Sequence, residues 1–78
     1  MEKLVRVIAE TICDKPEAVK VQELKASASS IIEVKVDQSD LGKMIGKHGK
    51  TAQSIRNIIY AASFKFNKRY TLEILAND

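Results

Sequence analysis

The chain has no tryptophan, one cysteine, one proline, one histidine and only three glycines among its 78 residues. Each scarcity removes a class of function. Cys13, alone between Ile12 and Asp14, has no partner for an internal disulfide and no metal-ligand spacing around it. It is expected to be a small buried hydrophobe in a reducing compartment. A single histidine with no acidic residue close to it in sequence, and no paired carboxylates, leaves nothing for general acid–base or metal-assisted catalysis. No cofactor is expected. The apolar runs are too short for a signal peptide or a membrane span, so the expectation is a cytoplasmic, soluble protein without membrane insertion. A chain this short, 45% hydrophobic, makes one domain over residues 1–78 with a thin core and no room for an enclosed catalytic cavity. Binding without catalysis is the expected class.

One further absence is the most telling. From Leu41 to Tyr70 there is no Asp or Glu, while seven Lys or Arg give that stretch a balance of +7. The rest of the chain carries six Lys or Arg against all ten acids, a balance of −4, so a net charge of +3 conceals a polarised molecule. A basic block of this kind concentrates a phosphate polymer near the surface.

Along the chain, Leu4, Val5, Ile8, Ala9 and Ile12 recur at spacings of three and four, which predicts a helix over Glu2 to Ile12 that Asp14-Lys15-Pro16 stops. Val19, Val21 and, out of phase, Leu24 predict a strand over Ala18 to Lys25 with a bulge. Ala26-Ser27-Ala28-Ser29 turns the chain, and the β-branched alternation of Ser30 to Val36 completes a hairpin. Asp37-Gln38-Ser39-Asp40 supplies capping side chains for a short helix over Leu41 to Ile45, which Gly46 ends. A longer helix is expected from Gly49 or Lys50 to about Ser63, burying Ala52, Ile55, Ile59 and Ala62, with Ile58 beside that stripe and Phe64 and Phe66 as core anchors at its end. Tyr70, Leu72 and Ile74 alternate in a last strand. The fold class is α+β in the order αββααβ, a three-stranded sheet with three helices packed on one face.

Between the last two predicted helices lies Gly46-Lys47-His48-Gly49, followed by Lys50. Gly46 lets the chain leave a helix in a conformation that a side chain penalises, and Gly49 lets phosphate approach the N–H groups that open the next helix. The positive end of that helix faces the same place, and Lys47, Lys50 and His48 add donors and charge. A P-loop is excluded, because it needs glycine five residues before Gly49 and position 44 is Met44.

Met44-Ile45-Gly46-Lys47-His48-Gly49-Lys50 resembles the Ile-Gly-x-x-Gly signature of KH domains, and the element order is similar to the type II arrangement. Over nearly its whole length the chain resembles the KhpA family of small bacterial single-KH proteins. The resemblance implies single-stranded RNA as ligand, its backbone clamped by Gly46, Lys47, His48, Gly49 and Lys50, with Lys43 and Arg56 as flanking phosphate contacts. By position, Ile45, Gln53 and Arg56 border the groove for bases, and the strand Ile31 to Val36 forms its floor or far wall; Ile45 and Ile32 also read as plain core residues. The resemblance further implies an RNA chaperone or post-transcriptional regulator that self-associates or pairs with a KhpB (Jag-like) protein, linked to cell-wall synthesis and cell shape. Ile58, Tyr60 and Ala61 are candidates for a dimer surface, or they face solvent or core. An RRM-type binder needs aromatic residues on its sheet face, whereas Tyr60, Phe64, Phe66 and Tyr70 cluster around the end of the long helix and are expected in the core or at an interface. The alternative is a KH-fold dimerisation or docking module whose main partner is a protein.

Overall fold

The computed structural model describes residues 1–77. Helix α1 (Glu2–Ile12) is followed by a single 3-10 turn at Pro16–Ala18, strand β1 (Lys20–Lys25) and strand β2 (Ser29–Val36). A second 3-10 turn, Gln38–Asp40, leads into α2 (Leu41–Ile45); a third, Lys47–Gly49, separates it from α3 (Lys50–Phe66), and β3 (Arg69–Ala76) closes the domain. The αββααβ order is as the sequence predicts.

The sheet runs β1-β2-β3, with β1 antiparallel and β3 parallel to the central β2. Ile32, Val34 and Val36 point inward from β2 and are fully buried, joined by Val21 and Leu72 from the flanking strands. Val5 and Ala9 of α1, Met44 of α2, and Ile55 and Ile59 of α3 meet them in a single core, which places all three helices on one face of the sheet. Parallel strands need a crossover connection. Here α2 and α3 supply it, which puts the turn between them at the N-terminal end of α3, opposite the end that connects to β3.

Four expectations are corrected. β1 starts at Lys20, not Ala18, because Pro16 sets the backbone for a 3-10 turn that takes up Ala18. It pairs with β2 in unbroken register from Lys20–Lys35 to Lys25–Ser30, so there is no bulge; Leu24 simply lies on the open face opposite Ile31. α3 runs to Phe66, where Asn67 ends it in a left-handed conformation, and Phe64 and Phe66 are therefore surface residues, 71% and 54% exposed, and not core anchors. Asp40 occupies the residue before α2 yet caps nothing there.

Asp40 is instead a buried tie between chain segments. Its Oδ1 accepts the Asp14 N–H at 3.1 Å and its Oδ2 the Lys15 N–H at 3.0 Å. These are donors freed where α1 ends, and the carboxylate fastens them to the start of α2. Replacing Asp40 by Asn keeps the shape but turns an NH2 toward one of the two N–H groups. Asp40→Asn is expected to cost about 2 kcal/mol, read as a fall of roughly 10 °C in thermal midpoint.

Ser30 carries the opposite imbalance, since its buried hydroxyl has no hydrogen-bond partner among the described residues. Ser30→Ala is expected to leave the domain at least as stable as the parent, with a gain of up to about 1 kcal/mol in denaturant unfolding. A loss of stability would show that the hydroxyl has a partner.

Candidate nucleic-acid interface

Helix α2 ends where Gly46 adopts φ 78° and ψ 171°. A Cβ built there would lie 2.2 Å from Thr51 Oγ1 and 2.7 Å from the Thr51 nitrogen, so only glycine fits. The Gly49 N–H then donates to the Gly46 carbonyl at 3.0 Å and closes the turn. His48 (φ 56°) and Gly49 (φ 74°) are both left-handed. Nothing lies within 4 Å of the Gly49 Cβ position, so at that residue the need for glycine is conformational and the surface above it is open. His48 meets the same demand as an ordinary L-residue, at a cost of about 1 kcal/mol.

The product is an exposed loop with Lys47 and His48 at its tip, seated on the N-terminus of a 17-residue helix that no side chain of the described residues caps. The positive end of that helix dipole, Lys47 and Lys50 all present charge of one sign to the solvent. Among the described residues Lys47, Lys50 and Arg56 form no ion pair.

Lys43 differs from them. Its ammonium is bonded to the Asp14 carboxylate, which raises its pKa above the ordinary lysine value, and a phosphate would have to compete with that carboxylate. Asp37, at the foot of α2, has its carboxyl held below the usual range by the Ser39 hydroxyl and N–H and by Lys15. The thiol of Cys13 is pushed up by burial and by the carboxylates of Asp40 and Asp14, which makes it an inert core group.

One turn beyond the loop, α3 and β3 bound a groove of about 300 Å³. Gln53, Arg56 and Asn57 line its helix wall, and Tyr70, Thr71 and Leu72 its strand wall. The Gln53 amide donates to Asn57 Oδ1 at 3.0 Å, which orients both side chains and leaves the Gln53 oxygen and the Asn57 NH2 available to a ligand. Gln53 and Arg56 both line this groove. The strand Ile31 to Val36 does not: β3 lines the groove, because β2 is central and its inward residues are sealed in the core. Ile32 is core, whereas Ile45 is 40% exposed on α2 beside Gly46, at the loop and outside the lining of this groove. Asn57 and Thr71 join the lining unannounced by any motif; the one signal in the sequence is that Asn57 is a polar residue one helical turn after Gln53.

No helix of the described residues is long and apolar enough to cross a membrane, and no group of three His, Cys, Asp or Glu among them is placed to hold a metal.

Comparison with known proteins gives the family. The family model for the KH domain of KhpA/KhpB matches residues 2–74. The RNA-binding protein KhpA of Clostridium perfringens is 45% identical over 75 residues, 96% of this chain and all of the relative. That of Caldanaerobacter subterraneus is 47% identical over the same share of both chains, and that of Aquifex aeolicus 37% identical over 96% of this chain and 95% of its own. No solved structure gives a significant match. Both the matched span and these identities place the chain in the KhpA/KhpB family of KH-domain proteins.

Proposed function

We propose that this domain binds single-stranded RNA without catalysing a reaction, with the turn from Gly46 to Lys50 on the backbone phosphates and the groove between α3 and β3 on the bases. The observation that carries the reading is the loop itself: a left-handed, basic turn on a helix N-terminus without a side-chain cap, with Lys47 and Lys50 free of acidic partners among the described residues. A phosphate there meets N–H donors, a dipole and two mobile cations at once. The groove, about 300 Å³ with Gln53, Arg56 and Asn57 opposite Tyr70, Thr71 and Leu72, has room for single bases splayed from a stack and not for an intact duplex. The relatives' name, RNA-binding protein KhpA, supports the same ligand.

A single module with so few base contacts binds weakly and with little sequence discrimination. Self-association, or pairing with a KhpB (Jag-like) protein that carries further RNA-binding surface, raises the apparent affinity through effective concentration. The family likeness extends the reading to an RNA chaperone or post-transcriptional regulator in the cytoplasm, acting on cell-wall synthesis and cell shape.

Three cations with no ion pair among the described residues border the path, Lys47, Lys50 and Arg56. Fluorescence anisotropy of a labelled single-stranded RNA is therefore expected to give a slope of about −2 for log affinity against log salt. Unlabelled duplex should compete poorly. A salt-independent affinity would reject the phosphate clamp and favour a protein-docking domain.

A further inference from the structure

A second concavity, of about 580 Å³, opens at the other end of α3. Tyr60 and Phe64 form one wall, Tyr70 another, and Lys68 and Arg69 stand at its rim. It shares Tyr60 and Tyr70 with the α3–β3 groove, so the two concavities form one path along the helix. Tyr60 and Phe64, one turn apart, meet edge to face with centroids 5.0 Å apart and planes at 76°. Both remain open to solvent, 67% and 71% exposed. The Lys68 ammonium lies 6.0 Å from the centroid of the Tyr70 ring, so charge and aromatic face are presented together.

The charge on this face discriminates among occupants. Lys65, Lys68 and Arg69 belong to the acid-free stretch and take part in no ion pair among the described residues. A second copy of the chain packed here about a two-fold axis would bring those cations toward their own counterparts. A polyanion neutralises them, and its bases are flat, which suits an exposed ring. Aromatic rings alternating with unpaired cations along a groove are how sequence-tolerant single-strand binders hold successive nucleotides.

We propose that this aromatic and cationic face extends the RNA path beyond the groove, one base stacking on Phe64 while the adjoining phosphates meet Lys68 and Arg69. The extension rests on the RNA reading of the Gly46–Lys50 loop. It makes the domain a longer footprint than the clamp of about four nucleotides that a KH loop holds.

The absence of tryptophan provides a direct reporter, since Phe64→Trp introduces the only indole in the chain. Phe64 lies outside the core, and Phe64→Trp and Phe64→Leu should both melt with the parent. Two RNAs are titrated, one of about four nucleotides and one of about ten. Both should bind the parent, the longer about tenfold tighter, and only the longer should quench the indole. Phe64→Leu keeps an apolar side chain but removes the ring, and should remove most of the advantage of the longer RNA, the rest resting on Lys68 and Arg69. Lys68→Gln with Arg69→Gln should flatten the salt dependence of the longer RNA alone. An unquenched indole with the longer RNA bound, or a length advantage undiminished by Phe64→Leu, overturns the extension and leaves the loop reading standing. Light scattering that shows Phe64→Leu dissociating a dimer, with the length advantage intact, assigns the face to a second copy and overturns it as well. Failure of both RNAs to bind the parent removes the loop reading and the extension together.

Discussion

Lys47→Asp combined with His48→Asp is expected to lower affinity for single-stranded RNA by about a hundredfold or more at roughly 0.1 M salt, with the thermal midpoint held near that of the parent. The affinity loss has two sources. Two donors disappear from the tip of the loop, and two carboxylates arrive where phosphate oxygens should sit. Little is lost from the fold, because both side chains are exposed and neither makes a hydrogen bond or ion pair among the described residues. The left-handed backbone at His48 is one that Asp adopts more readily than most residues. Acidic groups at the N-terminus of α3 also favour the helix, by a few tenths of a kcal/mol each. The variant is therefore a clean separation of binding from stability, measured by anisotropy beside a thermal melt. An unchanged affinity with an unchanged melt would remove the loop from the RNA site.

Much of this site was legible in the sequence because its chemistry is local. A Gly-x-x-Gly flanked by lysines, in thirty residues without an acid, specifies a turn, a sign of charge and a helix N-terminus before any tertiary contact is known. The alternation of Ile32, Val34 and Val36 likewise marked a strand with one buried face, though not its central place in the sheet. The groove was less legible, since which strand faces α3 depends on sheet order, a non-local property that hydrophobic period leaves open. The same holds for Asp40: its sequence position before Leu41 reads as a helix cap, and only the return of α1 to the start of α2 reveals the two N–H groups that it accepts. Phe64 and Phe66 show the limit from the other side. Two phenylalanines near a helix end read as core, but Ile55 and Ile59 already fill the face of α3 that meets the sheet, and the helix continues until both rings project outward.

His48 could not be recognised as left-handed from its identity, although the placement of the two glycines around it is decisive for the loop. Three of the four residues from Gly46 to Gly49 have positive φ. That conformation is held by packing on α3 and by the Gly49 to Gly46 hydrogen bond, and not by intrinsic preference. Substitution of the two glycines should separate these contributions.

Gly46→Ala is expected to be the most disruptive single methyl group that can be added to this domain. Its Cβ would sit 2.6 Å from the Thr51 Cβ and 2.7 Å from the Thr51 nitrogen, contacts with the backbone and its first side-chain carbon that no rotamer change relieves. The positive φ adds a further penalty of about 1–2 kcal/mol. Together they should destabilise the domain by about 3 kcal/mol, a fall of well over 10 °C for a chain of this size, or force the loop off the end of α3. Gly49→Ala faces open space and bears the conformational cost alone, about 1 kcal/mol, so its melt should lie between the parent and Gly46→Ala. The double variant Gly46→Ala/Thr51→Ala tests the cause, because it removes the Oγ1 contact at 2.2 Å but keeps those to Cβ and nitrogen. It should recover less than half of the loss. Full recovery would mean that the clash lies in the threonine hydroxyl alone, and that the main chain of the loop has more room to move than a phosphate clamp built on fixed N–H groups requires.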